Sequence, residues 1–516
     1  MPSDRDVGMR GSRRCVLIAI AIGCFSLMLR LAPTAESYWV DELHTAWTVS
    51  DSFMLVAERA SDGHQQPLYF QLLWVWSRVF GTSEVMMRLT SVIAVSLGCV
   101  FLFLGMQRAY KVVWPGVFAG LLLAVESNSI FFGTELRPYA AVICLAAIAC
   151  LLTARLWGQP PSLGRRGRDW VALWLSIGVA AAFQITSLGV LVWLPLLVMV
   201  RWSLVDWRAT LKLQRSDAML VVVGGLLAAS LFTSGIQQTW QNRQLWSRFA
   251  TAVSVSEIFS LWPWNATLIA PLTLLGFSSL TRCCGPRKQI EPGSDASLVW
   301  AFALVVVIST VLFWCVSYWH VAAIWHRRYL VACLPLIAWV FGAGTTQGVR
   351  GLLVLFGPRL RDSALLLVAV GLLTMVMSGQ GTLAKAWRGQ WLVYRGENWR
   401  DAIRFVNEAV ASDGMIWLDP GLIETASLDS PRRLEQGEYL RFVVDGPYAV
   451  RRDLGVVLSN HRKWVEVTKE GGFPNLLLTR HPVSALARHV DEQVQLRNYG
   501  NVAVAHSPDV PTGAEK

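Results

Sequence analysis

The chain has 516 residues, of which 54% are hydrophobic and only 16% charged. Soluble domains carry roughly 25% charged residues, so a water-soluble globular enzyme and a disordered chain are both excluded. Nine cysteines are too sparse for a disulfide-stapled module, and a net charge of +11 in so apolar a chain points to the cytoplasmic loops of a multi-span membrane protein rather than to nucleic acid.

Apolar runs of about 20 residues are long enough to cross the hydrocarbon core as helices. They predict spans at 15–32, 88–106, 112–126, 138–157, 170–185, 187–201, 218–235, 266–281, 298–317, 329–346 and 363–379, eleven in all. Arg10, Arg13 and Arg14 precede the first. It is long, carries Arg30 near its end and lacks a clean small-residue cleavage site, so it reads as a signal anchor. The later basic loops, such as those around Arg165–Arg168, Arg208–Arg215 and Arg282–Lys288, share one side only if all eleven cross. The positive-inside rule then puts the N-terminus in the cytoplasm and the C-terminus outside.

Residues 33–87 become an outer loop rich in acids: Glu36, Asp41, Glu42, Asp51, Glu58, Asp62 and Glu84, opposed only by Arg59 and Arg78. Within it Pro67–Phe80 (PLYFQLLWVWSRVF) is predicted to lie in the outer interface, with Tyr69, Trp74 and Trp76 at headgroup level. A full crossing there would move the later basic loops outside. The segment 237–249, with Arg243 and Arg248 among aromatics, reads as a second interfacial helix.

From about 380 the composition turns polar, and 380–516 reads as one soluble α/β module. Residues 399–410 (WRDAIRFVNEAV) have helical spacing and 413–420 (DGMIWLDP) read as turn, strand, turn; 449–460 and 463–472 look like further short elements. The expected domains are thus 1–379 in the membrane and 380–516 outside it. The last ten or so residues are expected to be disordered.

The predicted span interiors hold almost no ionisable groups, whereas ion-coupled transporters need them near mid-depth. The titratable residues gather instead at the outer surface, in four places. Asp41 and Glu42, adjacent in SYWVDELHTAW, cannot both point the same way from one helix, so one faces a cavity and the other a support. A carboxylate there suits proton abstraction from an attacking hydroxyl, and equally suits a solvated turn with an acidic helix cap. His64 precedes the interfacial helix and is placed to bond a phosphate or sugar, or is an ordinary loop histidine. Glu135 and Arg137, beside Tyr139 in TELRPYA, form either a loop-pinning ion pair or a wall of the same outer cavity as Asp41. His326, Arg327, Arg328 and Tyr329 sit between two spans on the outer side, where the positive-inside rule does not account for two arginines. An Arg pair suits bidentate phosphate binding or headgroup anchoring.

The ordered set resembles a known family. Asp41-Glu42, then His64-Gln-Gln-Pro67-Leu68-Tyr69-Phe70, Phe80-Gly81, Ser83-Glu84 and Arg88-Leu89 resemble the first outer loop of the GT-C membrane glycosyltransferases. The nearest branch is family 39-like, with protein O-mannosyltransferases and aminoarabinose transferases as relatives. Glu135-Leu136-Arg137-Pro138-Tyr139, Arg328-Tyr329 and Asn398-Trp399-Arg400 resemble its later motifs. His64-Gln-Gln-Pro67 departs from the family's compact His-Pro-Pro.

The resemblance implies a polytopic GT-C fold and an inverting transfer from a polyprenyl-phosphate sugar to a glycan, lipid or protein acceptor outside the cytoplasm. A bacterial inner membrane is the expected location. Asp41 and Glu42 are the expected catalytic acids. His64, Arg137, His326, Arg327, Arg328 and Tyr329 are expected at the donor phosphate, and Tyr69, Glu135 and Tyr139 in the substrate cavity. Neither a cofactor nor a metal is expected, because no ligand spacing signals one. The rival readings are a lipid or solute transporter and a non-catalytic membrane scaffold.

Overall fold

The computed structural model describes residues 4–63, 65–158, 166–205, 225, 250–284, 296–354, 358–410, 414–422, 425, 432–433, 438–469, 476–488 and 494–506. The chain divides into two compact units. The first is Met1–Thr34, Ala57–Leu73 and Arg88–Val393; the second is Ala35–Val56, Trp74–Met87 and Tyr394–Lys516.

The first unit is helical, and the chain is a multi-pass membrane protein. Among the described residues six helices are long and apolar enough to cross a bilayer: Arg13–Ala35, Glu84–Tyr110, Tyr139–Trp157, Ile185–Leu204, Ser297–Tyr318 and Arg359–Gly379. Val113–Val125 and Ser127–Gly133 make a seventh if their 63° bend lies within one span. Of the remaining expected spans, 170–185 falls on Arg166–Phe183, 266–281 on the shorter apolar helix Asn265–Thr281, and 329–346 on Cys333–Leu352. The expected span 218–235 and the segment 237–249 lie outside the described residues.

Cys333–Leu352 is buried nearly all round and packs against Val113–Val125 and Ala270–Cys284. Its small residues make that possible. A Cβ on Gly342 would overlap the carbonyl of Pro115, and one on Gly348 would strike Leu274. In a membrane, where burial of apolar surface gives little drive, such close backbone approach supplies the packing. Pro67–Phe80 forms a helix of 14 residues, about 21 Å long at 1.5 Å per residue, well short of a hydrocarbon core.

Among the described residues, the second unit contains a six-stranded sheet of order β2-β3-β1-β4-β6-β5. Its strands are β1 (Met415–Asp419), β2 (Arg432–Arg433), β3 (Gly455–Leu458), β4 (Leu476–Thr479), β5 (Gln495–Tyr499) and β6 (Val502–His506). β3 and β4 flank β1 and both run parallel to it, with Trp417 opposite Val457 on one side and Leu477 on the other. β2, β5 and β6 are antiparallel to their neighbours. β4 and β6 are buried along their whole length, as strands covered on both faces must be. Trp464, from the helix His461–Lys469, packs on Leu477, Leu486, Ala503 and Ala505.

The helical spacing at 399–410 appears as Trp399–Ala409, capped by the Asn398 side chain, which accepts from the Asp401 amide. The turn-strand-turn reading of 413–420 appears as β1, and 449–460 contains β3. The expected boundary at 380 differs from the division found. The helix Thr382–Trp387 belongs with the first unit, the break falls between Val393 and Tyr394, and much of the 33–87 loop joins the second. The reason is a set of polar contacts made by that loop, none of them visible as local sequence periodicity.

Candidate active site

Those contacts hold the acidic helix. Val40–Thr48 begins with its Val40 amide donating to Glu397 Oε2 at 2.9 Å. Glu397 is 2% exposed and also accepts from Trp399 Nε1 at 2.9 Å and Arg480 Nε at 2.6 Å. Burial pushes its carboxyl up, against the pull of Arg480, Trp399 and the Val40 amide. Upstream, Glu36 accepts from both the Arg395 amide (2.7 Å) and its guanidinium (3.2 Å). The Tyr38 amide donates to the Tyr448 hydroxyl at 2.8 Å, and that hydroxyl donates to Glu84, which Arg400 also grips at 2.5 Å.

The helix settles how the adjacent acids differ. Glu42 is fully buried, and its Oε2 accepts from the Trp39 amide at 3.4 Å, so it closes the first turn of its own helix. Asp41, one residue earlier and about 100° round the helix, is only half-buried. Glu42 is thus enclosed and bonded within its own helix, whereas Asp41 is partly exposed.

In the first unit Arg137 and Arg328 lie within electrostatic reach of buried tyrosine hydroxyls. Tyr139, at the start of a span, lies within electrostatic reach of Arg328, Arg137, Glu135 and Tyr329. Tyr69 is packed edge-on against Phe70 and Phe183 and lies near Arg137, Glu135, Thr90 and Ser91. Burial raises the Tyr69 hydroxyl, although Arg137 pulls it down. The Glu135 carbonyl accepts from Ser91 Oγ at 2.5 Å and from the Arg137 amide at 2.9 Å, which fixes the turn carrying the pair. Arg328 lies over the Tyr329 ring, 4.9 Å from its centroid, and donates to that hydroxyl at 3.0 Å. The Gln184 side chain holds the Arg328 carbonyl at 2.8 Å.

The two adjacent arginines part company, because a 3-10 turn over Arg327–Tyr329 rotates successive side chains by about 120°. Arg327 donates to the Ser260 carbonyl at 3.3 Å and lines a cavity of about 820 Å³ with Trp262, Trp264, Asn128 and Gln380. That cavity abuts the bend between the paired helices, where Glu126 accepts from the Ser129 amide, Asn128 and Gln380, each at 2.7 Å. A break in an apolar helix frees backbone groups, and internal partners of this kind take them up. His326 accepts from the Arg328 amide through Nδ1 at 3.2 Å, which makes it the cap of the turn.

Residues 64–234 match the sequence profile of the family described as dolichyl-phosphate-mannose-protein mannosyltransferase. No curated protein sequence matches the chain. Among solved structures, apo ArnT from Cupriavidus metallidurans superposes with a TM-score of 0.52 at 15% identity, covering 99% of this chain and 100% of that one. Its undecaprenyl-phosphate complex gives a TM-score of 0.50 at 15% identity, over 98% and 99% of the two chains. The chain has the GT-C fold. The arabinofuranosyltransferase AftD from Mycobacteria also matches, at 13% identity and a TM-score of 0.47, over 96% of this chain and 40% of that one.

Within this GT-C fold the expected residues Tyr69, Glu135, Arg137, Tyr139, Arg328 and Tyr329 gather in the first unit, while Asp41 and Glu42 belong to the second. Arg327 lines the cavity of about 820 Å³ with Trp262 and Gln380, and His326 accepts from the Arg328 amide. His64 lies outside the described residues. Glu397 and Arg480 were not anticipated, although Glu397 immediately precedes the Asn398-Trp399-Arg400 motif. Nor was a cluster of Asp419, His461 and His481, whose first two members are 42 residues apart and carry no ligand spacing.

Proposed function

We propose that the protein is an inverting glycosyltransferase that moves a sugar from a polyprenyl-phosphate donor to an acceptor hydroxyl outside the cytoplasm, in a bacterial inner membrane. The observation that carries this is the gathering of Arg137 and Arg328 around Tyr139, Tyr69 and Tyr329 in the membrane unit. Fixed cations beside aromatic hydroxyls suit a phosphate that gains charge as it departs. The fold shared with ArnT, crystallised with undecaprenyl phosphate, supports a lipid phosphate as the leaving group.

The proposed step is a single displacement. Asp41 takes the acceptor's hydroxyl proton as its oxygen attacks the anomeric carbon from the face opposite the phosphate. The bond from that carbon to the phosphate oxygen breaks, and the polyprenyl phosphate leaves with the electron pair, its charge held by Arg137 and Arg328. Configuration at the anomeric carbon inverts. Glu42 holds the helix that presents Asp41. Nucleotide sugars are made in the cytoplasm, so a donor used on the outer face must arrive on a lipid. In this reading the first unit carries Arg137 and Arg328, and the second unit carries Asp41 and Glu42.

Binding of undecaprenyl phosphate by the purified protein in nanodiscs tests the donor assignment without knowledge of the sugar. Loss of one charge-assisted contact costs about 1.5–3 kcal/mol, so Arg137→Ala and Arg328→Ala are each expected to weaken binding by about 10–150-fold. Unchanged affinity in the double variant would refute the phosphate assignment.

A further inference from the structure

Apart from the residues given roles in sugar transfer, the second unit brings together a carboxylate and two imidazoles. Asp419 is the last residue of β1, His461 opens the helix that follows β3, and His481 follows β4. These are the three adjacent parallel strands of the sheet. The chain passes from β1 to β3 on one side and then crosses to β4 on the other, so the winding reverses at β1. Ligands of open α/β sheets bind at the carboxyl ends of strands at such a reversal.

The geometry is that of a metal-ligand set. The Asp419 side chain is 3% exposed, and its Oδ2 lies 2.9 Å from His461 Nδ1 and 3.5 Å from His481 Nε2. One ligand atom from each residue falls within 4.8 Å of the others. Ligands about 2.0–2.1 Å from a tetrahedral zinc stand roughly 3.4 Å apart, so little movement is needed to admit the ion. The two rings are 3.9 Å apart at their centroids and converge on a single carboxylate oxygen. Backbone amides fix that carboxylate: Gly421 donates to Oδ1 at 2.9 Å, and His461 to Oδ2 at 2.8 Å. The Arg480 amide donates to the Asp419 carbonyl at 3.0 Å and the Ser459 amide to the Leu418 carbonyl at 3.0 Å, so the ligand-bearing turns are pinned to the ladder. Outer contacts of this kind orient metal ligands.

We propose that Asp419, His461 and His481 bind a divalent transition-metal ion of the zinc class. Two imidazoles and one carboxylate are borderline nitrogen and oxygen donors, which suit zinc over magnesium or calcium. With side-chain exposures of 23% and 36%, the imidazoles leave the fourth position open to water. The ion joins the ends of β1, β3 and β4. It also steadies the turn carrying Arg480, which grips Glu397 beneath the acidic helix.

The test uses the purified full chain in detergent, stripped with a chelator and titrated with Zn²⁺ and, separately, with Co²⁺, whose visible spectrum reports its ligands. The expected result is one tightly bound Zn²⁺ per chain, a melting temperature that rises with Zn²⁺, and a four- or five-coordinate Co²⁺ spectrum. His461→Gln with His481→Gln is expected to abolish the spectrum and to weaken Zn²⁺ binding by more than the about 10–100-fold that outer-contact substitutions cost. His481→Gln alone, at the more exposed position, repeats the test with least risk to folding. Wild-type protein that takes up no stoichiometric Zn²⁺ overturns the proposal whatever the variants do. So does a folded variant that binds Zn²⁺ and colours Co²⁺ as the wild type does.

Discussion

Replacing Glu397 by Gln tests how the acidic helix is held. The substitution keeps size and shape but turns one acceptor oxygen into a donor. In the native protein Oε1 accepts from Arg480, and Oε2 accepts from both the Val40 amide and Trp399. Whichever way the amide turns, it places N–H against N–H on one side. At least one charge-assisted bond is lost, about 1.5–3 kcal/mol. Arg480 keeps 28% of its side chain in solvent, so the unpaired guanidinium adds less than a fully buried charge would.

Denaturant unfolding followed by tryptophan fluorescence, with Trp39 and Trp399 close to the change, is expected to report a loss of about 2–3 kcal/mol. The double-mutant cycle with Arg480→Gln is expected to recover part of it as coupling. The pH dependence carries its own sign. Burial raises the folded carboxyl above its unfolded value of 4.5, so the folded state holds more protons just above that pH. Stability contributed below 4.5 is therefore lost as pH rises through the folded value, and Glu397→Gln flattens this slope. A loss below about 0.5 kcal/mol, the level of an ordinary surface substitution, together with zero coupling, would refute the assignment of Glu397 as the anchor.

Asp41→Asn is expected to fold normally, retain undecaprenyl-phosphate binding and lose turnover by about 10²–10⁴-fold; normal turnover in a glycosyl-transfer assay removes Asp41 from the mechanism. Glu42→Gln, at a buried helix-closing position, is expected to lower thermal stability while turnover per folded molecule falls less than in Asp41→Asn. Arg327→Ala is expected to leave undecaprenyl-phosphate affinity closer to wild type than Arg328→Ala does, and equal losses in a binding titration would contradict the divergence of the two side chains. Gly342→Ala is expected to cost about 1–3 kcal/mol through overpacking against Pro115, read as a lower midpoint in thermal unfolding; an unchanged midpoint would show that the helices part without strain.

The membrane class was legible in the sequence, because a bilayer demands long apolar runs whatever their tertiary partners. Helix Trp399–Ala409 and strand β1 were legible too, since cap, turn and periodicity are local. Tyr69, Glu135, Arg137, Tyr139, Arg328 and Tyr329 were singled out by the resemblance of their motifs, and their electrostatic proximity is seen in the fold. Other features depended on the folded chain. The different surroundings of Asp41 and Glu42 follow from which side of one helix is buried, and no single sequence states that. Arg327 and Arg328 are equivalent as letters and are separated only by the pitch of a 3-10 turn. Asp419 is brought to His461 and His481 across long stretches of chain by the parallel pairing of β1 with β3 and β4, and Glu397 meets Arg480 from an antiparallel bridge to Gly500; the register of such pairings is set by buried faces rather than by neighbouring residues.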